Sequence, residues 1–472
     1  MRLRLRSSKQ LKPGLAALAV VALLLPALRA SAQTQQSTDE FGEDAKPAKP
    51  AKSAEAEAPA EATESTPPPP PLAMEPATDA NPYVPFAPPP APLRVENSSA
   101  SIQFGLLAQP QVEVAGAPDA TLTTKNLFLR RIRFMVGGTL FKTLEIFFQT
   151  DWPNLFKLDP ADTMAGTGKN TPGLNVQDAY ATWKLLAPLG PQITRWLDLK
   201  LDAGFMLPAG PHNSLESAAK LYGADYFVNS FRRNITNNFD PFASNGPGGS
   251  PVGRDTGVQL RALVLNGHID FRIGMFQGYR AGPVPAADPN PAVAAGVNMF
   301  RVAGRLQLNL LDAEPGYFYQ GTYLGAKKIL SLGVFYDRQN NYKYFGVDGI
   351  VDLPVGPGIF TAQGNAVQWD GGTFLIGLTK HRAFMGQLGY LIGPIRLSPF
   401  AHFERLTSYA VDPATGQSPT GGEPSEDRYG GGLSWWPYGF NSNLKVFFAK
   451  VHRSPAPHDF NVIIAQWQVY FF

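Results

Sequence analysis

The chain has 472 residues, no cysteine, 41 Lys and Arg against 38 Asp and Glu, and 17% charged residues. Without a thiol there is no disulfide framework, thiolate nucleophile or thiolate metal site. A net charge of only +3, with no basic patch or aromatic platform, excludes a nucleic-acid binder.

The N-terminus reads as an address. Arg2, Arg4, Arg6, Lys9 and Lys12 form a basic region, Leu15 to Leu25 is a short apolar run, and Ala30-Ser31-Ala32 offers the small residues of a cleavage site. Residues 1–32 are therefore expected to be a signal peptide. Pro26 and Arg29 interrupt the run at about half the roughly 20 residues a spanning helix needs. No later apolar run approaches that length, which excludes a helical membrane protein.

Residues 33–98 are rich in Pro, Ala, Glu and Lys, as in Lys46-Pro47-Ala48-Lys49-Pro50 and the run Pro67 to Pro71. So little apolar surface cannot offset the entropy of ordering, and a disordered periplasmic linker is expected. Lys46, Lys49 and Lys52 leave a tethering role open beside simple solvation.

From about residue 99 to Phe472 the chain alternates in polarity over segments of about ten residues, separated by Gly, Pro, Asn and Asp. Phe104, Leu106, Ala108, Val112 and Val114 share one parity, and Gln103, Gln109, Gln111 and Glu113 the other. Ile132, Phe134 and Val136 oppose Arg131 and Arg133; Leu144, Ile146, Phe148 and Trp152 oppose Glu145, Gln149 and Asp151. Leu197, Leu199, Leu201 and Phe205 oppose Asp198, Lys200 and Asp202, while Ile269, Phe271, Ile273 and Met275 oppose Asp270 and Arg272. Val302, Leu306, Leu308 and Leu310 oppose Arg301, Arg305, Gln307 and Asn309; Leu444, Val446 and Phe448 oppose Asn443 and Lys445.

A soluble sandwich alternates too. Three features select an all-β transmembrane antiparallel barrel instead. The strands match the nine to eleven residues of a tilted membrane strand. Trp152, Trp183, Trp196, Trp369, Trp435, Trp436 and Tyr438 sit toward strand ends, as an interfacial girdle requires. The chain closes on an aromatic strand, Asn461 to Phe472, with Ile463, Ala465, Trp467, Val469 and Phe471 on one face. Trp467, Val469, Phe471 and Phe472 form the expected signal for the barrel-assembly machinery. About seventeen segments qualify as strands; treating Tyr317 to Leu324 as a connection leaves sixteen, an even number that suits bacterial barrels and leaves room for water.

Several segments resemble the phosphate-selective porins O and P. Arg130-Arg131-Ile132-Arg133-Phe134-Met135-Val136-Gly137-Gly138 is similar to an early strand of that family. Gly204-Phe205-Met206-Leu207-Pro208-Ala209-Gly210 with Ser214-Leu215-Glu216-Ser217 is similar to the segment leading into its pore loop. Arg254-Asp255-Thr256-Gly257-Val258-Gln259-Leu260 resembles the strand after that loop, and Gly430-Gly431-Gly432-Leu433 a late strand. The resemblance implies a sixteen-stranded outer-membrane porin, assembled as a homotrimer in outer-membrane lipid, whose third loop narrows a channel for small anions such as phosphate.

Arginine suits that task, because its planar fork stays charged and binds phosphate oxygens through two hydrogen bonds. Parity nominates Arg131, Arg133, Arg261, Arg272, Arg301, Arg305, Arg396 and Lys445 on polar strand faces as the anion path. Arg232 and Arg233 join them from the stretch between Pro208 and Pro251, expected to hold the constriction. A structural role competes at every position: the same arginines can pair with Glu113, Glu145, Asp178, Asp202 and Asp270 to hold the wall together. Residues 99–472 carry 31 Lys and Arg against 27 Asp and Glu, a mild field for an anion trap.

No enzyme motif stands out. His212, His268 and His381 have no zinc-helix spacing, and neither a phosphate loop nor a nucleophile elbow occurs. No enzymatic role and no cofactor are expected. A barrel with a plugged lumen, serving as a surface adhesin or assembly platform, is the rival to a general or anion-selective pore.

Overall fold

The computed structural model describes residues 92–116, 123–158, 173–227, 253–278, 299–372, 380–408, 425–454 and 459–472. The expected signal peptide and nearly all of the expected linker lie outside them. The first half holds β1 (Leu93–Glu96), β2 (Ala100–Gly116), β3 (Thr123–Leu140), β4 (Leu144–Asp151), β5 (Asn175–Lys184), β6 (Leu197–Met206), β7 (Asp255–Val264), β8 (Ile269–Phe276) and β9 (Arg301–Asn309). The second half holds β10 (Ile329–Gln339), β11 (Tyr342–Val355), β12 (Gly358–Asp370), β13 (His381–Ile392), β14 (Leu397–Ser408), β15 (Ser425–Trp435), β16 (Ser442–Ser454) and β17 (Phe460–Phe471).

From β2 onward each strand pairs antiparallel with the next, and β17 returns to β2, with Val462 opposite Ala115 and Phe471 opposite Leu106. Sixteen strands thus close into a barrel. Closure leaves none of β2 to β17 as a free sheet edge among the described residues. The short β1 falls in the last residues of the stretch expected to be linker. It pairs with β2 from Leu93 opposite Phe104 to Glu96 opposite Ser101, just past the point where β17 stops.

The alternation read from the sequence holds on the wall. Phe104, Phe134, Phe148, Ile273, Val302 and Phe448 are exposed on the outside, while Gln109, Asp202, Asp270, Arg272, Gln307 and Lys445 are buried inside. One class of residue departs. Trp369 and Trp436, expected in an outer girdle, are fully buried within the barrel. Trp369 lies in an apolar cluster with Phe335, Tyr344, Met385 and Leu406. The exposed aromatics Trp183, Trp196, Trp435 and Tyr438 instead gather around the end that carries the β5–β6 and β15–β16 turns, with Trp467 a few residues along β17.

The interior is two-sided as a result. The β2–β9 half presents charges, whereas the β10–β16 half presents Phe335, Tyr344, Trp369, Leu391, Phe400 and Phe447. An inward position is wet only where water fills the lumen; where another part of the chain fills it, the position is an apolar seat.

Gly204 shows how close the wall strands pack. Its φ of +135° is open to glycine and strained for an L side chain, and an added Cβ would run into Ala179 O and stand 2.8 Å from Tyr180 Cα. Gly204→Val is expected to break the β5–β6 pairing and destabilise the barrel by at least about 1–3 kcal/mol, read as a lower urea midpoint for refolding in detergent.

Candidate functional site

Strand order assigns each connection to one end of the barrel. The connection after β6, described over 207–227 and 253–254, enters from one end, and the one between β9 and β10 (310–328) from the opposite end. Both turn inward and meet. Ser217 N donates to Tyr319 O at 3.0 Å, Tyr319 N to Leu215 O at 2.9 Å, and Gly321 N to Lys220 O at 3.0 Å. Leu215, Glu216, Leu221, Tyr222 and Phe227 of the first loop, and Tyr319 of the second, are nearly inaccessible. The segment Tyr317 to Leu324, rightly read as a connection, thus lies in the lumen.

The first loop is amphipathic in the same sense as the lumen. Phe227 packs into the Phe335–Trp369 cluster and Tyr222 against Phe400 and Trp436, while Asp225 faces the charged half. Full burial of one such ring contributes about 1.5–3 kcal/mol.

Cations on the wall fasten both loops. A register shift opposite Gln109 and Pro110 inserts Arg130 into β3, so that Arg130 and Arg131 both point inward. Arg130 Nε reaches Asp225 Oδ2 at 2.8 Å and Arg131 Nη2 reaches Asp225 Oδ1 at 2.5 Å. Arg305 bridges Asp348 at 2.5 Å and donates to Gly210 O at 3.0 Å. Arg272 holds Asp270 at 3.0 Å and donates to Tyr317 O at 2.8 Å and Gly316 O at 3.1 Å. Lys445 donates to Leu221 O at 2.6 Å and Gly223 O at 2.9 Å.

The remaining nominated residues divide. Arg133 pairs with Asp151 at 2.9 Å, Arg261 with Asp202 at 2.5 Å and Arg301 with Asp337 at 2.6 Å. Arg396 is not on a strand face: it sits in the β13–β14 turn at φ +54° and donates to Pro437 O at 2.5 Å. The turn needs a left-handed residue there, which parity cannot see. Arg232 and Arg233 lie outside the described residues. Of the candidate acids, Asp202 and Asp270 hold Arg261 and Arg272, Asp178 holds Arg254 at 3.3 Å, and Glu113 and Glu145 hold Lys157 and Lys184. In the terminal strand, Trp467 is exposed on the outer face that Val469 and Phe471 share by alternation. Phe472 turns inward, its ring 5.7 Å from that of Phe147 and close over Gly137.

Sequence reading missed three contributors. Arg130 lies on the outward parity, and Pro110 on the facing strand was the available hint of a bulge. Phe147 breaks the alternation, an apolar ring on the polar face of β4. Lys220 is a half-buried cation of the first loop, and no carboxylate lies within ion-pair distance of it among the described residues.

Between the loops lies a histidine bridge. His212 stacks on Tyr319 at 4.6 Å, with Nδ1 3.1 Å from Glu216 and Nε2 3.1 Å from Glu314. Burial opposes charge on the imidazole, but Glu314 and Glu216 outweigh it and raise His212 to about 9. Burial likewise opposes charge on Asp225, yet Arg130 and Arg131 hold it down at about 2.

Beside this bridge is a cavity of about 270 Å³ lined by Arg133, Arg254 and Lys220 together with Phe147, Tyr317 and Phe318.

Two pH dependences follow. The depressed Asp225 contributes stability that is complete above its ordinary value near 3.8 and lost as pH falls through about 2. The unfolding-midpoint gap between wild type and Asp225→Asn should therefore be full at neutral pH, worth about 3–5 kcal/mol because two buried arginines lose their partner, and should close in strong acid. The raised His212 works in the opposite direction: its contribution is complete below 6.5 and lost as pH rises through about 9. Thermal unfolding of wild type and His212→Phe should accordingly converge between neutral pH and about 10, with wild type the more stable at neutral pH.

No family model and no curated protein sequence matches the chain. Among solved structures it is similar to an anion-selective porin from Comamonas acidovorans, at 12% identity and a TM-score of 0.48, over 79% of this chain and 100% of that one. It is also similar to OmpF of Salmonella typhi in complex with daunomycin, at 10% identity and 0.46, over 80% and 100%. The outer-membrane channel DcaP of Acinetobacter baumannii follows at 12% identity and 0.45, over 80% and 99%. The likeness is one of barrel architecture.

Proposed function

We propose that the protein is an outer-membrane porin that passes small anions by passive diffusion. Its closed barrel turns Leu332, Val347, Phe384, Leu388 and Phe448 outward and Gln, Asp and Arg inward, the distribution expected of strands between lipid and water. The N-terminal leader directs export, and the outer face of β17 is the part the assembly machinery reads. A homotrimer, implied by the family resemblance, remains part of the proposal.

The observation that carries anion preference is Lys220. Most of the nominated wall arginines face a carboxylate, so their charges largely cancel, while Lys220 lines the lumen cavity as a cation with no ion-pair partner among the described residues. A charge of one sign beside low-dielectric walls concentrates the opposite ion. Phosphate specificity, the finer reading from the resemblance, would need arginine forks turned to the solute, and the described forks hold Asp151, Asp202, Asp225, Asp270, Asp337 and Asp348 instead.

One observation favours the rival, a closed lumen: two loops from opposite ends join by backbone hydrogen bonds and are fastened to the wall. Purified protein in a planar bilayer separates the readings. A pore gives discrete current steps and a reversal potential of anionic sign in a salt gradient; silence, or cation selectivity, overturns the proposal. In lipid vesicles, Leu332→Arg on the outer face should lower folding stability by about 2–4 kcal/mol if that face meets the bilayer core, measured by urea titration.

A further inference from the structure

We infer that the cavity lined by Lys220 and Phe147 is a binding site for small aromatic carboxylates, the solute class for which the channel is built. The inference rests on the pore reading and names the substrate of that site.

The lining has two characters. On one side, Arg133 already holds Asp151 and Arg254 already holds Asp178, so each contributes little net charge. Glu216 is tied to His212 and Asn213. Lys220 is left, one compact cation with three donors, and burial and the nearby Lys327 charge lower its ammonium below the ordinary lysine value. A single anionic partner would relieve that cost. Among the described residues that line the cavity, a multiply charged oxyanion meets no second cation that is not already held by a carboxylate.

The other side is aromatic. Phe147 touches Tyr180, Phe318 and Phe472 at ring separations of 5.6, 5.8 and 5.7 Å, and Tyr317 stacks on Tyr180 at 4.6 Å and meets Phe318 edge-on at 4.9 Å. The faces of such rings offer an inorganic ion no hydrogen bond, the Tyr317 hydroxyl is spent on Leu207 O, and the rings displace water that a strongly hydrated ion would keep. A flat apolar body gains from offset or edge contact with them. At about 270 Å³ the cavity is near the small end for ligand sites, in keeping with a single ring bearing one carboxylate.

The test uses the full-length protein in a planar bilayer carrying chloride current, with benzoate, acetate and phosphate added in turn. Benzoate should block at concentrations about tenfold below acetate or phosphate, a difference of about 1.4 kcal/mol. Lys220→Gln should weaken benzoate block about tenfold, as loss of one charge-assisted hydrogen bond predicts. Phe318→Leu should narrow the gap between benzoate and acetate, because it removes a ring and keeps the carboxylate's partner. Equal block by benzoate and acetate, or stronger block by phosphate, overturns the inference and leaves an anion pore standing. Unchanged benzoate block in both variants places the site elsewhere and also overturns it. A silent bilayer fails at the earlier step and removes the pore itself.

Discussion

The grip of Arg130 and Arg131 on Asp225 holds the interior arrangement together. A buried carboxylate between two guanidiniums cannot leave without exposing two uncompensated charges, so the first loop is pinned at that point. From the pin, Tyr222 and Phe227 reach the apolar half of the lumen, and Ser217 and Lys220 present the backbone groups on which the second loop hangs. The wall carries cations chiefly as anchors.

That arrangement changes what a basic lumen means. An arginine paired to an aspartate presents little net field, and two of the barrel's arginines, Arg272 and Arg305, are also occupied with loop carbonyls. The net field in the lumen then depends on which charges remain over. Lys220 is such a charge, and it is set among aromatic rings, where its attraction is screened least. The electrostatic character of the interior therefore arises from the contents of the lumen more than from the wall that encloses them.

The alternation of Leu306, Leu308 and Leu310 against Arg305, Gln307 and Asn309 was enough to establish β9 as a wall strand, and the same reasoning covered most of the barrel. It worked because the strand period is two and each wall residue meets one of two media. It failed at Arg130, where one inserted residue reverses the parity of everything before it in β3, and at Trp369 and Trp436, where the inner medium is another part of the chain. It failed at Arg396 because a turn obeys backbone torsion rather than alternation.

By itself the sequence determined an antiparallel barrel with an apolar outside, a terminal aromatic strand and cations on inward positions, since those follow from a local repeat. Only the tertiary structure decided what the cations hold, that two loops from opposite ends meet at His212, and that the Lys220 side of the cavity carries a cation with no carboxylate partner among the described residues. Those contacts join residues about a hundred positions apart, as Arg131 to Asp225 and His212 to Glu314 do. No local period encodes a partner at that distance; it is set by where the closed ring places each strand around the lumen.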